Sequence, residues 1–323
     1  MAEKPSFEQF FETELIPALQ PLEERRKTVI KRIAVTCGII FGIALLSAAL
    51  WWPDSRDPQA LLLPGIAAVV LSAVAFKLMS ADYVYAFKNQ VVGPIVKYVG
   101  PELTYLPQSG ISESRFRASG IFHHRIDRYH CEDMVQGAVG TTRIEFSELH
   151  AEYKTETRDS KGRRQTQWHT IFRGLFFIAD FNKHFNGRTF VLPDSAEKLF
   201  GRFGQKLQEI GKSHGELVKL EDPAFEKEFA VYSNDQVEAR YILSPALMRR
   251  MLEFKIKTGG KVHFSFIGGE VNIGISSTKN RFEPKLFSTV LDIEMAREFV
   301  EDLQLALGIV DDLNLNTRIW TKE

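Results

Sequence analysis

Polar and apolar positions alternate unevenly along this chain, and the sharpest contrast lies before Ser80. Ile33 to Trp52 holds no charged residue and, as a helix, is long enough to cross a hydrocarbon layer about 30 Å thick. Backbone polar groups in lipid must be satisfied within the segment, which forces so apolar a run towards helix despite its β-branched Ile and Val. Leu61 to Ser80 is a second such run: Pro64 sits in its first turn, and Lys77 lies near its far end, where a long stem can snorkel. Between them, Trp51, Trp52, Pro53, Asp54, Ser55, Arg56, Asp57 and Pro58 supply an aromatic interface anchor and a polar, proline-bounded turn. The pattern predicts a transmembrane helical hairpin over 33–80. A cleavable signal peptide is disfavoured, because its apolar region runs only roughly 7 to 15 residues. Two core helices of a soluble protein would show a polar face, and these runs show none.

The flanks predict further helices. In residues 1–32, Ser6 and Gln9 form a capping-box pattern, and Phe7, Phe10, Phe11, Ile16 and Leu19 share a side. This segment reads as an amphipathic helix broken by Pro17 and Pro21, lying either at the membrane interface or against the soluble part. In residues 81–110, Tyr83, Val84, Phe87, Val91, Val92, Ile95, Val96 and Val99 continue a helical pattern, with a bend expected at Gly93 and Pro94.

From Ile111 to Glu323 the pattern changes to short strands with a few helices. A short helix is expected within Ser112–Phe122, and strands over Met134–Val139 and Arg143–Tyr153 around Gly140 and Thr141. Lys154–Gln167 is almost wholly polar and reads as a hairpin tip. Trp168–Phe181 is apolar on both faces, the pattern of a central strand, interrupted by Arg173, for which Glu145 or Glu148 would be the partner. Thr189–Leu192, the Asp194 cap and an Ala196–Ile210 helix make a strand-cap-helix unit. Arg240–Leu243, Ser244, Pro245 and Ala246–Lys255 suggest a second, so that 111–211 and 215–323 could be two halves. Val262–Phe266 and Val271–Ile275 flank Gly268 and Gly269 as a hairpin, and Ile293, Ala296, Val300, Leu303 and Leu307 line one stripe of a terminal helix. The sum is an α+β chain: a helical hairpin, then a mixed, mostly antiparallel sheet domain with helices on one face.

Charge sets the orientation. Arg25, Arg26, Lys27, Lys31 and Arg32 precede the first run and Lys77, Lys88 and Lys97 follow the second, which puts both ends of the hairpin in the cytoplasm. Lys and Arg total 41 and Asp and Glu 41, so no global charge favours nucleic acid as a partner. The two cysteines, Cys37 and Cys131, fall in unlike environments and do not suggest a disulfide. Small residues at four-residue spacing, Ala34, Gly38 and Gly42, then Ala68 and Ser72, allow close helix approach, either within the hairpin or between copies through Gly38 and Gly42.

Catalytic signatures are scarce. The densest set of metal-ligand types is His123, His124, His130 and Cys131, yet their spacing matches no standard zinc set. Acid/base chemistry would have to draw on Glu132, Asp133, Glu148 and His150. No phosphate-binding glycine loop or nucleophile elbow is present, and no cofactor is implied.

The order Glu132, Asp133, Gly137, Phe146, Ser147, Glu148, Leu149, His150, Ala151, Phe172, Arg173, Gly174, Leu175, Phe176, then Phe229, Val231, Tyr232, Ser233, Asp235 to Arg240 resembles the bacterial domain-of-unknown-function 3137 family. That resemblance implies a two-span protein of the bacterial inner membrane. It brings no established activity, so no residue roles carry over. Three functions remain: a non-enzymatic membrane-tethered module whose cytoplasmic domain binds a protein partner or self-associates; an enzyme acting on a lipid or membrane-bound substrate; and a domain that reads anionic lipid through Lys154–Arg164.

Overall fold

A computed structural model describes residues 5–55, 59–158, 162–181, 186–193 and 214–315. The Asp194 cap and the Ala196–Ile210 helix lie outside the described residues, as do Arg56–Pro58 of the inter-helix turn. The chain divides into two compact units, one of residues 1–98 with 282–299, the other of 99–281 with 300–323.

The first unit is helical. Helix α1 (Phe7–Phe10) carries the Ser6–Gln9 capping box, and a π-helical turn over Phe11–Leu15 leads into α2 (Ile16–Ser55). Helix α3 (Gln59–Phe87) is followed by a second π-helical turn, Lys88–Val92, and by α4 (Gly93–Val99). Each wide turn ends two residues before a proline, Pro17 or Pro94. A proline ring clashes with the carbonyl four residues back, and widening the preceding turn makes room for it. The expected interruptions therefore fall at Phe11–Leu15 and Lys88–Val92, while Pro21 leaves α2 unbroken. Helix α2 also runs through Pro53 and Asp54 to Ser55, so the polar turn is shorter than its composition suggests.

Helices α2 and α3 each contain a stretch long and apolar enough to cross a membrane, with only 6% of each such window buried. A core helix of a soluble protein is mostly buried, and these windows are not. Val35, Ile39, Ile43, Leu45, Leu46, Leu50, Leu62, Leu63, Ile66, Val69, Val70, Leu71 and Leu78 are all exposed. Outside the apolar runs the unit has an ordinary core: Phe10, Phe11, Leu15, Leu19, Leu22, Tyr83, Phe87, Val91, Val92, Ile95 and Val96 are buried. Phe10 stacks on Tyr98 at 4.3 Å and Phe87 meets Phe299 at 5.7 Å. Of the two alternatives for the N-terminal amphipathic face, this burial speaks against the membrane interface: the face packs on protein, within the helical unit.

The second unit is built on a nine-stranded, wholly antiparallel sheet, and the chain is α+β. Its strands are β1 (Thr104–Leu106), β2 (Arg128–Val139), β3 (Thr142–Arg158), β4 (Arg164–Asp180), β5 (Arg188–Pro193), β6 (Glu216–Leu217), β7 (Phe229–Ser233), β8 (Val262–Ile267) and β9 (Glu270–Ser276). Their order is β1-β2-β3-β4-β9-β8-β5-β7-β6. Gly268 and Gly269, at φ 61° and 84°, make the tight β8–β9 turn that a glycine pair favours. The helices are α5 (Glu113–Ala118), α6 (Pro223–Glu228), α7 (Gln236–Ile242), α8 (Pro245–Thr258) and α9 (Ile293–Asp312), of which residues 300–312 belong to this unit. Phe254 of α8 and Phe229 meet Phe264 on one sheet face, and Phe116 of α5 meets Phe172 and Phe176 on the other. Helices therefore cover both faces, the longer α8 on one and the short α5 on the other.

Two elements differ from the sequence pattern. Arg240–Leu243 is not a strand. Asp235 caps Val237 and Glu238, and Ala239 and Ile242 point inwards one turn apart, so the segment closes as α7. Lys154–Gln167 is not merely a hairpin tip, since β3 and β4 stay paired out to Arg158 and Arg164.

Candidate functional site

The β3–β4 pair outruns the sheet. Strand β2 accompanies β3 only as far as Glu152, which pairs with Thr170 of β4, and β9 accompanies β4 only from Gly174, so Tyr153–Arg158 and Arg164–His169 form a two-stranded arm. Most of its residues are exposed on both faces, because alternation there places polar or amphipathic side chains on each side. Aromatic rings cross it: His124 stacks on Tyr153 at 4.9 Å, and Tyr153 stacks on His169 at 4.9 Å. The Arg128 guanidinium lies 3.7 Å over the Trp168 ring, a cation–π contact.

Beside these rings is an open cleft of about 460 Å³ lined by Arg125, Asp127, Tyr153, Lys154 and Glu156. Asp127 accepts from the Lys154 backbone N–H at 3.0 Å and pairs with Arg125 at 3.4 Å. Glu156 pairs with Lys154 at 2.9 Å and Arg164 at 3.4 Å, and the hydrogen bond from Lys154 holds its carboxyl below the usual range. The cleft is charged and ringed by π faces, with no nucleophile beside a base. Its two cations are each paired with a carboxylate, so it offers mixed charge beside aromatic faces, a surface suited to an extended polar segment and not a net basic one.

The four metal-type residues are not brought together. His123 Nε2 faces His214 Nε2 at 3.0 Å, and burial lowers the pKa of His123. His124 belongs to the arm, and His130 is exposed beside Glu132 at 3.5 Å. Cys131 packs against Gly110, where an added Cβ would come within 2.6 Å of its own Cβ, and burial pushes the thiol up. Among the described residues, no three of the four place ligand atoms within 4.8 Å of one another.

The acid/base set is likewise divided among separate partners. Asp133 is fully buried at the bulge between Glu132 and Val135, with φ 59°, and its Oδ1 accepts from the Tyr105 hydroxyl. Glu148 accepts the Arg281 backbone N–H. His150 lies 3.7 Å from Glu152, and burial lowers its pKa. None of Glu132, Asp133, Glu148 or His150 lines the cleft. Arg173 is exposed and donates to Asn280 Oδ1 at 3.1 Å; Glu145 is paired instead with Arg115 at 2.8 Å.

Several residues behind the resemblance do structural work. Gly174 has φ 147°, and a Cβ there would meet Ile275 O at 2.0 Å; Gly137 has φ 155°, with Glu102 O at 2.5 Å. Glu238 accepts the successive backbone N–H groups of Asn186 and Gly187 at 2.9 and 2.7 Å, while Asp235 caps α7. The sequence profile of a family described as "Protein of unknown function (DUF3137)" matches residues 170–315.

That stretch belongs to the DUF3137 family. The DUF3137 match takes in most of β4 and all later described elements, but leaves Arg128, Tyr153 and the whole arm upstream. No curated protein matches the chain. Among solved structures, the crystal structure of the mycobacterial trehalose monomycolate transport factor A, TtfA, is similar at 11% identity over 68% of this chain and 93% of that one. Its TM-score of 0.28 is too low to bear on function.

The aromatic arm carried no motif in the sequence. Its one signal is Tyr153, Trp168 and His169 standing among charged residues where a solvated hairpin has no need of rings.

Proposed function

We propose that the protein is a membrane-tethered binding module: α2 and α3 span a bacterial inner membrane with both termini in the cytoplasm, and the β3–β4 arm of the cytoplasmic domain takes a protein partner. The observation that carries the tether is the exposure of large apolar side chains along α2 and α3, a surface that water would not tolerate at that size. The exposed Arg25, Lys27, Lys31, Arg32 and Lys77 at the same ends of the helices support the orientation. Two strand edges that no third strand covers beyond Glu152 and His169, next to rings and paired charges, support strand addition by a partner.

The test uses the full chain in mild detergent. A stoichiometric partner or a homo-oligomer is expected, and Tyr153→Ser with Trp168→Ser should lose it while the unfolding midpoint stays within the range of other surface changes. A monomer without partner, or one whose partner survives both substitutions, contradicts the reading. A second reading is favoured by Lys154, Arg158, Arg163 and Arg164 on the arm: recognition of anionic lipid. Flotation of the arm-bearing domain with vesicles containing or lacking phosphatidylglycerol separates the two. Dependence on lipid charge supports the second reading, and no dependence ends it.

A further inference from the structure

Residues 285–291 of the helical unit form a pinned turn. The Ser288 N–H donates to Lys285 O at 3.0 Å, which puts Leu286 and Phe287 at its apex. On one side Arg26 Nη1 donates to Leu286 O at 2.8 Å, and on the other the Val290 N–H donates to Glu23 Oε2 at 3.2 Å. Glu23 and Arg26 are themselves a buried bidentate pair, with Nε and Nη2 at 2.9 and 2.7 Å from the carboxylate; this guanidinium holds the Glu23 carboxyl down at about 2. Leu286 and Val290 point into the core at 8% and 0% exposure.

Phe287 is held facing the other way. It is 76% exposed, with Leu291 at 39% nearby, on a backbone too firmly anchored to fold it inwards. Its ring lies 6.2 Å from Phe76, nearly parallel at 23°. Phe76 is in α3, next to Lys77 and two residues before Leu78, which is 71% exposed. At 1.5 Å per residue Phe76 lies about 21 Å along the helix from Leu62, inside the span that a layer about 30 Å thick would cover. Phe287 thus continues the apolar surface of α3 at the level where Lys77 snorkels.

We infer that the Lys285–Ser288 turn is a third membrane contact, with Phe287 seated among lipid chains at the cytoplasmic interface beside α3. The inference rests on the membrane-spanning reading. Its occupant is the bilayer, because the ring is continuous with the exposed apolar surface of α3 through Phe76 and because the Glu23–Arg26 pair holds it 76% exposed among the described residues.

Site-directed spin labelling tests it in vesicles of phosphatidylethanolamine and phosphatidylglycerol. In a full chain carrying Cys37→Ser and Cys131→Ser, a nitroxide is placed by Phe287→Cys and, separately, by Leu291→Cys, Leu45→Cys for the span and Ile256→Cys for exposed α8. The labels at 287 and 291 should collide with oxygen in preference to a water-soluble nickel chelate, as at 45 and unlike 256. Access to nickel like that at 256, or exclusion of both reagents as in a protein–protein contact, overturns the inference while a lipid-buried label at 45 preserves the span. Nickel access at 45 overturns the spanning reading and this inference with it.

Discussion

Gly174 illustrates how much of this chain's recognisable sequence is backbone geometry. At φ 147°, with Ile275 O only 2.0 Å from the position of a Cβ, Gly174→Ala must move the β4–β9 ladder, and it should cost about 3 kcal/mol or more of stability, read from the urea midpoint. A change below about 0.5 kcal/mol would contradict the close approach. His263 offers a test with a sign. Burial pushes its imidazole down to about 4, against a backbone hydrogen bond at Gly274 that pulls upwards. The unfolded chain binds the proton near 6.5 and the folded chain only near 4. Stability is therefore complete above pH 6.5 and falls as pH drops through that window. His263→Gln should flatten the dependence between pH 7.5 and 5, and an unchanged slope would place its origin elsewhere. At this scale the sequence is a fair guide to caps, with Ser6 and Ser244 each accepting the N–H expected of them. It gave no hint of Asp133, whose left-handed backbone depends on a bulge that only strand pairing creates.

Among the elements, those written by local periodicity are as the pattern predicts: the two long apolar helices, the β8–β9 hairpin and the α9 stripe with Ala296, Val300, Leu303 and Leu307 buried. Elements set by distant contacts were not legible. The arm exists because β2 and β9 stop short of β3 and β4, and α7 forms because its Ala239 and Ile242 find a core. The Arg26–Leu286 contact joins residues 260 apart in sequence, with only Glu23, on the same side as Leu15, Leu19 and Leu22, as a trace of it. The small-residue stripe belongs to this scale too. Ala68 is buried, whereas a Cβ on Gly38 or Gly42 would meet nothing within 4 Å, so those two do not tighten the hairpin. Gly38→Ala with Gly42→Ala should leave helix content and the unfolding midpoint of the detergent-solubilised monomer unchanged or slightly higher. A lower midpoint would show that the glycines pack against α3 after all, and a lost oligomer at constant fold would assign them to self-association.

For the molecule as a whole, the helical unit carries an exposed apolar surface of the kind lipid would cover, and the sheet unit carries a buried core and an exposed aromatic arm. Balanced formal charge and two free cysteines are consistent with this arrangement. The most direct measurement is protease protection of the full chain in sealed, right-side-out membrane vesicles after an alkaline wash. The chain should stay in the washed membrane pellet, and added protease should leave the 99–323 region intact until detergent opens the vesicle. Release into the supernatant, or digestion of that region in sealed vesicles, would contradict the spanning reading.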